Sequence, residues 1–214
     1  MKLQWRLTTL GMVLALAALA CGIGESVVPS GGVLFQDDFS STSSGWDKQR
    51  SPKEGVTDYE DGKYRIQVLT SKTRVWANPH LSFTDVHIEV DATRQTGPED
   101  NDFGVICRYK DENNFYYMVV TSDGYYGIVK VKDGDTELLG SDRMGTSDYI
   151  KSGETTNHLR VECVGPTLTL YVNGQKLDSQ QDSEFTSGDV GLIAGTDENA
   201  GTDIWFDNFT VTKP

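Results

Sequence analysis

Apolar and polar residues alternate in short runs along most of the chain, with turn signals about every ten residues and no sustained helical period. Tyr64, Ile66 and Val68 alternate with Lys63, Arg65 and Gln67 behind the turn Asp61-Gly62. Val86, Ile88, Val90 and Ala92 alternate with His87, Glu89 and Asp91 in the cleanest strand pattern of the chain. A meander follows through Phe103 to Tyr109, Phe115 to Val120 and Tyr126 to Val131, with turns at 111–114 and Ser122-Asp123-Gly124 and an end at Asp133-Gly134. Leu159, Val161 and Cys163 then alternate with Arg160 and Glu162, turn at Gly165-Pro166, and return through Leu168, Leu170 and Val172 to a turn at Asn173-Gly174. The last strands are predicted at Val190 to Ala194 and Ile204 to Val211. Asp-Gly and Asn-Gly pairs supply the positive φ angles that tight hairpins need. Period-2 alternation with frequent turns marks an all-β sandwich or barrel. Two antiparallel sheets packed face to face would bury the apolar set and leave the polar set wet.

The amino terminus follows a different pattern. Lys2 and Arg6 precede an uncharged run from Leu7 to Ala20, diluted by Thr8, Thr9 and Gly11. A membrane span needs roughly 18 to 20 apolar residues, so the run reads as a signal peptide over residues 1–20. Its end, Ala17-Ala18-Leu19-Ala20-Cys21, resembles the lipobox of bacterial lipoproteins, although position 18 is Ala where Leu is commonest. The resemblance implies a lipid on Cys21, cleavage before it, and an extracytoplasmic, membrane-anchored lipoprotein at the cell surface. An ordinary signal peptide with an incidental cysteine is the plainer alternative. Residues 21–32, rich in Gly and Ser with one Pro, read as a lipidated cysteine and flexible tether. Residues 33–214 are expected to form one sandwich domain, long enough to bury its own core.

The formal net charge is −13, and loss of Lys2 and Arg6 with the leader would take it to −15. Such a chain repels phosphate backbones, and no basic patch points to nucleic acid. Cys107 and Cys163 each sit inside an apolar strand pattern. An oxidising compartment would preserve a bridge between them, but the spacing is equally compatible with two buried thiols.

An ordered set of short motifs carries a family resemblance. Asp37-Asp38-Phe39, Gly45-Trp46, Asp61-Gly62-Lys63-Tyr64, Phe103-Gly104-Val105, Arg108-Tyr109 and Asn114-Phe115-Tyr116-Tyr117 lead it. Asn157-His158-Leu159-Arg160-Val161, Tyr171-Val172-Asn173-Gly174, Gly188-Asp189-Val190-Gly191-Leu192 and Phe206-Asp207-Asn208-Phe209 complete it. Together they resemble the concanavalin A-like lectin and glucanase superfamily, including the bacterial 3-keto-disaccharide hydrolase-type and laminin G-like domains. The resemblance implies a jelly-roll sandwich whose first strand, around Val33 to Phe39, lies beside the last, around Trp205 to Val211. It would bring Asp38 and Asp207 together, where related sandwiches hold a structural calcium ion through carboxylates and carbonyls. Hydrogen bonding of the two aspartates to turn amides is the alternative. The superfold hosts lectins, hydrolases and adhesion modules, so it does not by itself assign an activity.

Candidate chemistry is sparse. Laminarinase-type glucanases resembling this fold carry three alternating carboxylates on one strand; here Glu89 and Asp91 are followed by Thr93, which removes one arm of a retaining glycosidase. Three histidines without ligand spacing argue against zinc, and no Gly-x-Ser-x-Gly elbow occurs. No catalytic residue is assigned, and the enzyme alternative is a hydrolase acting on (3-keto-)disaccharides. Binding asks for less: an exposed ring to stack on a sugar, flanked by polar side chains. Glu89, Asp91 and Arg108 are expected to face outward together, with Trp76, Tyr116 or Tyr126 beside them as a glycan platform. Tyr171 is a further aromatic candidate, and Trp46 and Trp205 are assigned to the core. The expected partners are therefore a glycan and, through the lipid, a membrane. An adhesion or protein interaction module is the remaining alternative.

Overall fold

The computed structural model describes residues 32–214; the expected leader, Cys21 and the tether up to residue 31 lie outside the described residues. Sixteen strands and no helix occur among the described residues. In chain order they are β1 (Val33–Asp37), β2 (Gln49–Ser51), β3 (Gly55–Glu60), β4 (Lys63–Val68), β5 (Thr73–Ala77), β6 (Val86–Thr96), β7 (Asp102–Asp111) and β8 (Asn114–Thr121). They continue as β9 (Tyr125–Lys132), β10 (Asp135–Leu138), β11 (Gly145–Thr146), β12 (Thr156–Val164), β13 (Thr167–Val172), β14 (Gln175–Gln181), β15 (Asp189–Thr196) and β16 (Thr202–Thr212).

The strands form two antiparallel sheets. A nine-stranded sheet runs β14-β13-β12-β6-β16-β4-β3-β2, with β1 added to β16. A seven-stranded sheet runs β10-β9-β8-β7-β15-β5, with β11 added to β9. The first strand does lie beside the last: Phe35 pairs with Val211 and Asp37 with Phe209. Asp61-Gly62, Asp133-Gly134 and Asn173-Gly174 each have two positive φ angles, as two-residue hairpins require.

Between the sheets lies the core that the alternation predicts. Ile66, Ile88, Val90, Val161, Leu170 and Phe206 enter it from the larger sheet, and Phe103, Val105, Met118, Val120 and Leu192 from the smaller. Cys107 of β7 and Cys163 of β12 form a disulfide across the two sheets, with Cα atoms 6.8 Å apart. Trp46 is buried as expected, its ring 4.9 Å from Phe209 and 5.5 Å from Phe39. Its Nε1 donates to Asp37 Oδ2 at 3.0 Å, so the motifs at the two chain ends meet in one aromatic cluster.

Trp205 is a correction. It does not enter the core but stands half-buried on the outer face of the nine-stranded sheet, its Nε1 donating to Asp203 Oδ1 at 3.1 Å. Ile204 and Phe206 on either side are the buried ones, so the strand's alternation decides the direction over the general tendency of tryptophan to be buried.

Arg108 departs further from expectation. With Cys107 inward, alternation sends Arg108 outward, yet its side chain is buried. A β-bulge between Cys107 and Asp111 gives Arg108 a φ of 55° and breaks the alternation. The guanidinium donates to the carbonyls of Phe185 at 2.9 Å and Gly165 at 2.7 Å, and pairs with Asp85 at 3.3 Å.

Candidate functional site

The anticipated cluster of Glu89, Asp91 and Arg108 does not assemble. Glu89 and Asp91 do share the outer face of β6 in the nine-stranded sheet, but Arg108 belongs to β7 in the other sheet and is spent on the contacts above. The cations facing the two carboxylates come from β12, where Arg160 is opposite Glu89 and His158 opposite Asp91. His158 Nδ1 lies 2.8 Å from Asp91 and Nε2 3.4 Å from Glu89, while Arg160 pairs with Glu162 at 2.5 Å. Asn208 donates to Asp91 Oδ2 at 3.0 Å. Tyr171, also on this face, lies under the Arg160 guanidinium at 5.2 Å. The group is a surface network whose charges are already paired with one another.

The aromatic expectations divide. Tyr116 is fully buried rather than exposed: its hydroxyl donates to Asp182 and accepts from the Phe185 N–H at 3.1 Å. Burial, then the Asp182 carboxylate, pushes that phenol up to about 12. Tyr126 packs half-buried against the edge of the main core. Trp76 stands half-buried on β5, on the second face of the seven-stranded sheet. Asp38 and Asp207 have separate partners, Ser40 for the first and an ion pair with Lys63 for the second. Among the described residues no group of three or more His, Cys, Asp or Glu side chains gathers as a metal would require.

That second face of the seven-stranded sheet is the unusual one. Ile106, Phe115, Tyr117, Val119 and Ile193 are buried there, so β7, β8 and β15 are apolar on both sides. Trp76, Tyr109, Leu138 and Met144 pack half-buried against them. Ring centroids lie 5.8 Å apart for Trp76 and Phe115, 5.4 Å for Tyr109 and Phe115, and 5.8 Å for Phe115 and Tyr117. Trp76 Nε1 donates to the Tyr109 hydroxyl at 3.4 Å, which fixes both rings.

One row of registered residues crosses the face: Arg74 opposite Gly195, Gly195 opposite Asp102, Asp102 opposite Thr121. Arg74 holds Asp102 through Nη2 at 2.5 Å and Nε at 2.7 Å, and its guanidinium lies 5.9 Å over the Tyr117 ring. Gly195 is required here, because a Cβ would stand 1.9 Å from Asp102 Oδ1. Burial raises the Asp102 pKa against the opposing pull of Arg74. Burial lowers the Arg74 pKa, but Asp102 with Tyr117 and Asp197 more than restores it. Despite the pair, Asp102 Oδ1 and its neighbour Asp100 Oδ1 are buried without a hydrogen-bond donor.

Three depressions meet at Arg74. The largest, about 570 Å³, is bordered by Lys48, Gln49, Glu54, Trp76, Tyr109 and Glu112. A shallow one of about 200 Å³ lies over Trp76, Phe115 and Tyr117. The third, about 310 Å³, is bordered by Asp100, Asp102, Asp123, Tyr125 and Asp197. The half-buried Trp76 and Tyr109 rings, backed by Phe115 and Tyr117 and flanked by hydrogen-bonding groups, suit a ligand with apolar ring faces and polar edges.

The sandwich can be compared with solved structures. It matches a CBM66 carbohydrate-binding module from Bacillus subtilis with a TM-score of 0.64 and 19% identity, over 79% of this chain and 96% of the module. The fold is that of the concanavalin A-like sandwiches. A Bacillus subtilis protein of unknown function with a galectin-like fold gives the same TM-score of 0.64 at 12% identity, over 86% of this chain and 96% of that one. A xylan β-1,4-xylosidase from Bacillus halodurans gives 0.59 at 18% identity, over 83% of this chain but 39% of the xylosidase. No family model and no curated protein matches the chain.

Of the missed residues, Arg74, Asp102, Tyr109 and Phe115, only the last had a signal in the sequence. Phe115 to Val120 is apolar at every position, where a strand with one wet face would alternate. That pattern announces a second face withdrawn from water.

Proposed function

We propose that the protein is an extracytoplasmic lipoprotein that binds glycan across the second face of its seven-stranded sheet. The carrying observation is the meeting of three depressions at Arg74, beside the half-exposed Trp76 and its ring train. Stacking favours the apolar faces of sugar rings, and the fixed Arg74 and Asp102 pair offers hydrogen bonds without an ordering cost. The carbohydrate-binding module and the xylosidase among the structural neighbours support this class of ligand. On the opposite sheet Tyr171 lies under Arg160 and Trp205 is tied to Asp203, both within a field of ion pairs.

A glycan array with the full-length protein should identify a bound glycan, and Trp76→Ala should weaken its affinity by at least about tenfold, near 1.4 kcal/mol, while the variant stays folded at the assay temperature by circular dichroism. Unchanged affinity in that variant, or an array with no binding, would refute the reading. Anchoring has its own test. Cys21→Ser should move the protein from the membrane fraction to the soluble one and abolish labelling by a fatty-acid probe; an unlabelled wild type would contradict the lipid.

A further inference from the structure

We propose that the depression at the Asp102 end of this face is a subsite for a sugar unit bearing a free amine, which makes glycans containing de-N-acetylated hexosamine the preferred ligands. The proposal rests on the glycan-binding reading above and adds a ligand class to it.

Charge at this end is one-sided. Four carboxylates, Asp100, Asp102, Asp123 and Asp197, border the depression, and Arg74 is its one cation. Arg74 is committed to Asp102, and the nearby Lys72 pairs with Glu198 instead. Asp123 accepts from the Thr121 hydroxyl and Asp100 from Asn199 at 3.4 Å, both neutral donors. The site is therefore a pocket of uncompensated negative charge, which repels a uronic or sialic acid and attracts an ammonium group.

An independent observation points the same way. Asp102 is only 6% exposed, borders the depression, and has an Oδ1 that accepts no hydrogen bond. Asp100 Oδ1 is orphaned in the same manner. A buried acceptor left without a donor costs about 1 to 3 kcal/mol, so a donor-rich ligand has something to recover. An ammonium group offers three donors and a charge.

A metal ion fits less well. Its ligands must converge within about 2.0–2.6 Å of one point, and no group of three or more such side chains converges among the described residues. The carboxylates instead surround about 310 Å³. Tyr125, 43% exposed at the rim, supplies a ring on which a sugar can stack. The row from Arg74 through Gly195 and Asp102 to Thr121 joins this end to the Trp76 end, so one oligosaccharide can occupy both.

The test is calorimetric titration of the full-length protein with three pentamers of one backbone: the glucosamine pentamer, its N-acetylated form, and cellopentaose. The amine pentamer should bind at least about tenfold tighter than either other. That preference should fall below about threefold in Asp123→Asn/Asp197→Asn, and should shrink with added salt. Trp76→Ala should instead weaken all three together. Equal binding of the amine and hydroxyl pentamers would overturn the subsite and leave the glycan reading standing, as would a preference that survives the double variant. Failure of all three pentamers beside a positive array would also overturn the subsite alone, whereas failure on every glycan would remove the parent reading.

Discussion

Arg108 shows how much one residue's backbone can decide. Its positive φ at the bulge turns a long cationic side chain inward, where two carbonyls and Asp85 receive it. Burial lowers its pKa, and Asp85 works against that shift. Replacing it by Met keeps most of the volume but strands the carbonyls of Phe185 and Gly165. At about 1 to 3 kcal/mol for each orphaned group, Arg108→Met should destabilise the domain by at least about 2 kcal/mol in chemical denaturation. A loss under about 1 kcal/mol would show that water or a rearranged loop serves those carbonyls equally well. None of this was legible in the chain, because the residues after Cys107 give no sign that the alternation slips by one. Glu89 and Asp91 were correctly placed on one face, but their partners lie on β12, 67 to 71 positions along, as the Asp91–His158 and Glu89–Arg160 pairings show. Distant pairing of this kind follows from register, which the local pattern does not contain.

At the scale of elements, legibility followed alternation. The strands whose apolar residues recur every second position, β4, β6, β12 and β13, lie where the pattern puts them. β14, with the sequence QKLDSQQ, is an edge strand with no buried residue and therefore no apolar period. β2 and β10, also at sheet edges, are short and polar for the same reason. Such strands are held by backbone hydrogen bonds to a neighbour, which leave no mark on side-chain choice. The hairpin joining β13 to β14 was legible because its turn has a chemical requirement. Gly174 has a φ of 81° and nothing within 4 Å of where a Cβ would stand. Gly174→Val therefore acts through backbone strain alone, and should lower the stability by more than about 1 kcal/mol in a denaturation curve. An unchanged midpoint would mean that the turn can adopt another geometry at no cost.

Across the whole molecule, the two outer faces have different characters. The nine-stranded sheet turns outward a lattice of ion pairs, including Arg65 with Asp203 at 2.6 Å and His158 with Asp91 at 2.8 Å. The seven-stranded sheet turns outward a second apolar layer, bordered by Arg74, Glu112 and the carboxylates near Asp102. Alternation assigned polar residues to every outer face, and so did not distinguish the two sheets. The fully apolar run from Phe115 to Val120 was the available sign that one face of the seven-stranded sheet differs. The three described tryptophans report on separate places: Trp46 in the core, Trp205 on the nine-stranded sheet and Trp76 on the seven-stranded one. The most direct measurement is therefore a two-dimensional NMR titration of the indole N–H signals with the glycan selected on the array. The Trp76 signal should show a saturable shift while those of Trp46 and Trp205 stay in place. A shift of Trp205 with Trp76 unmoved would place the ligand on the opposite sheet and contradict the proposed site.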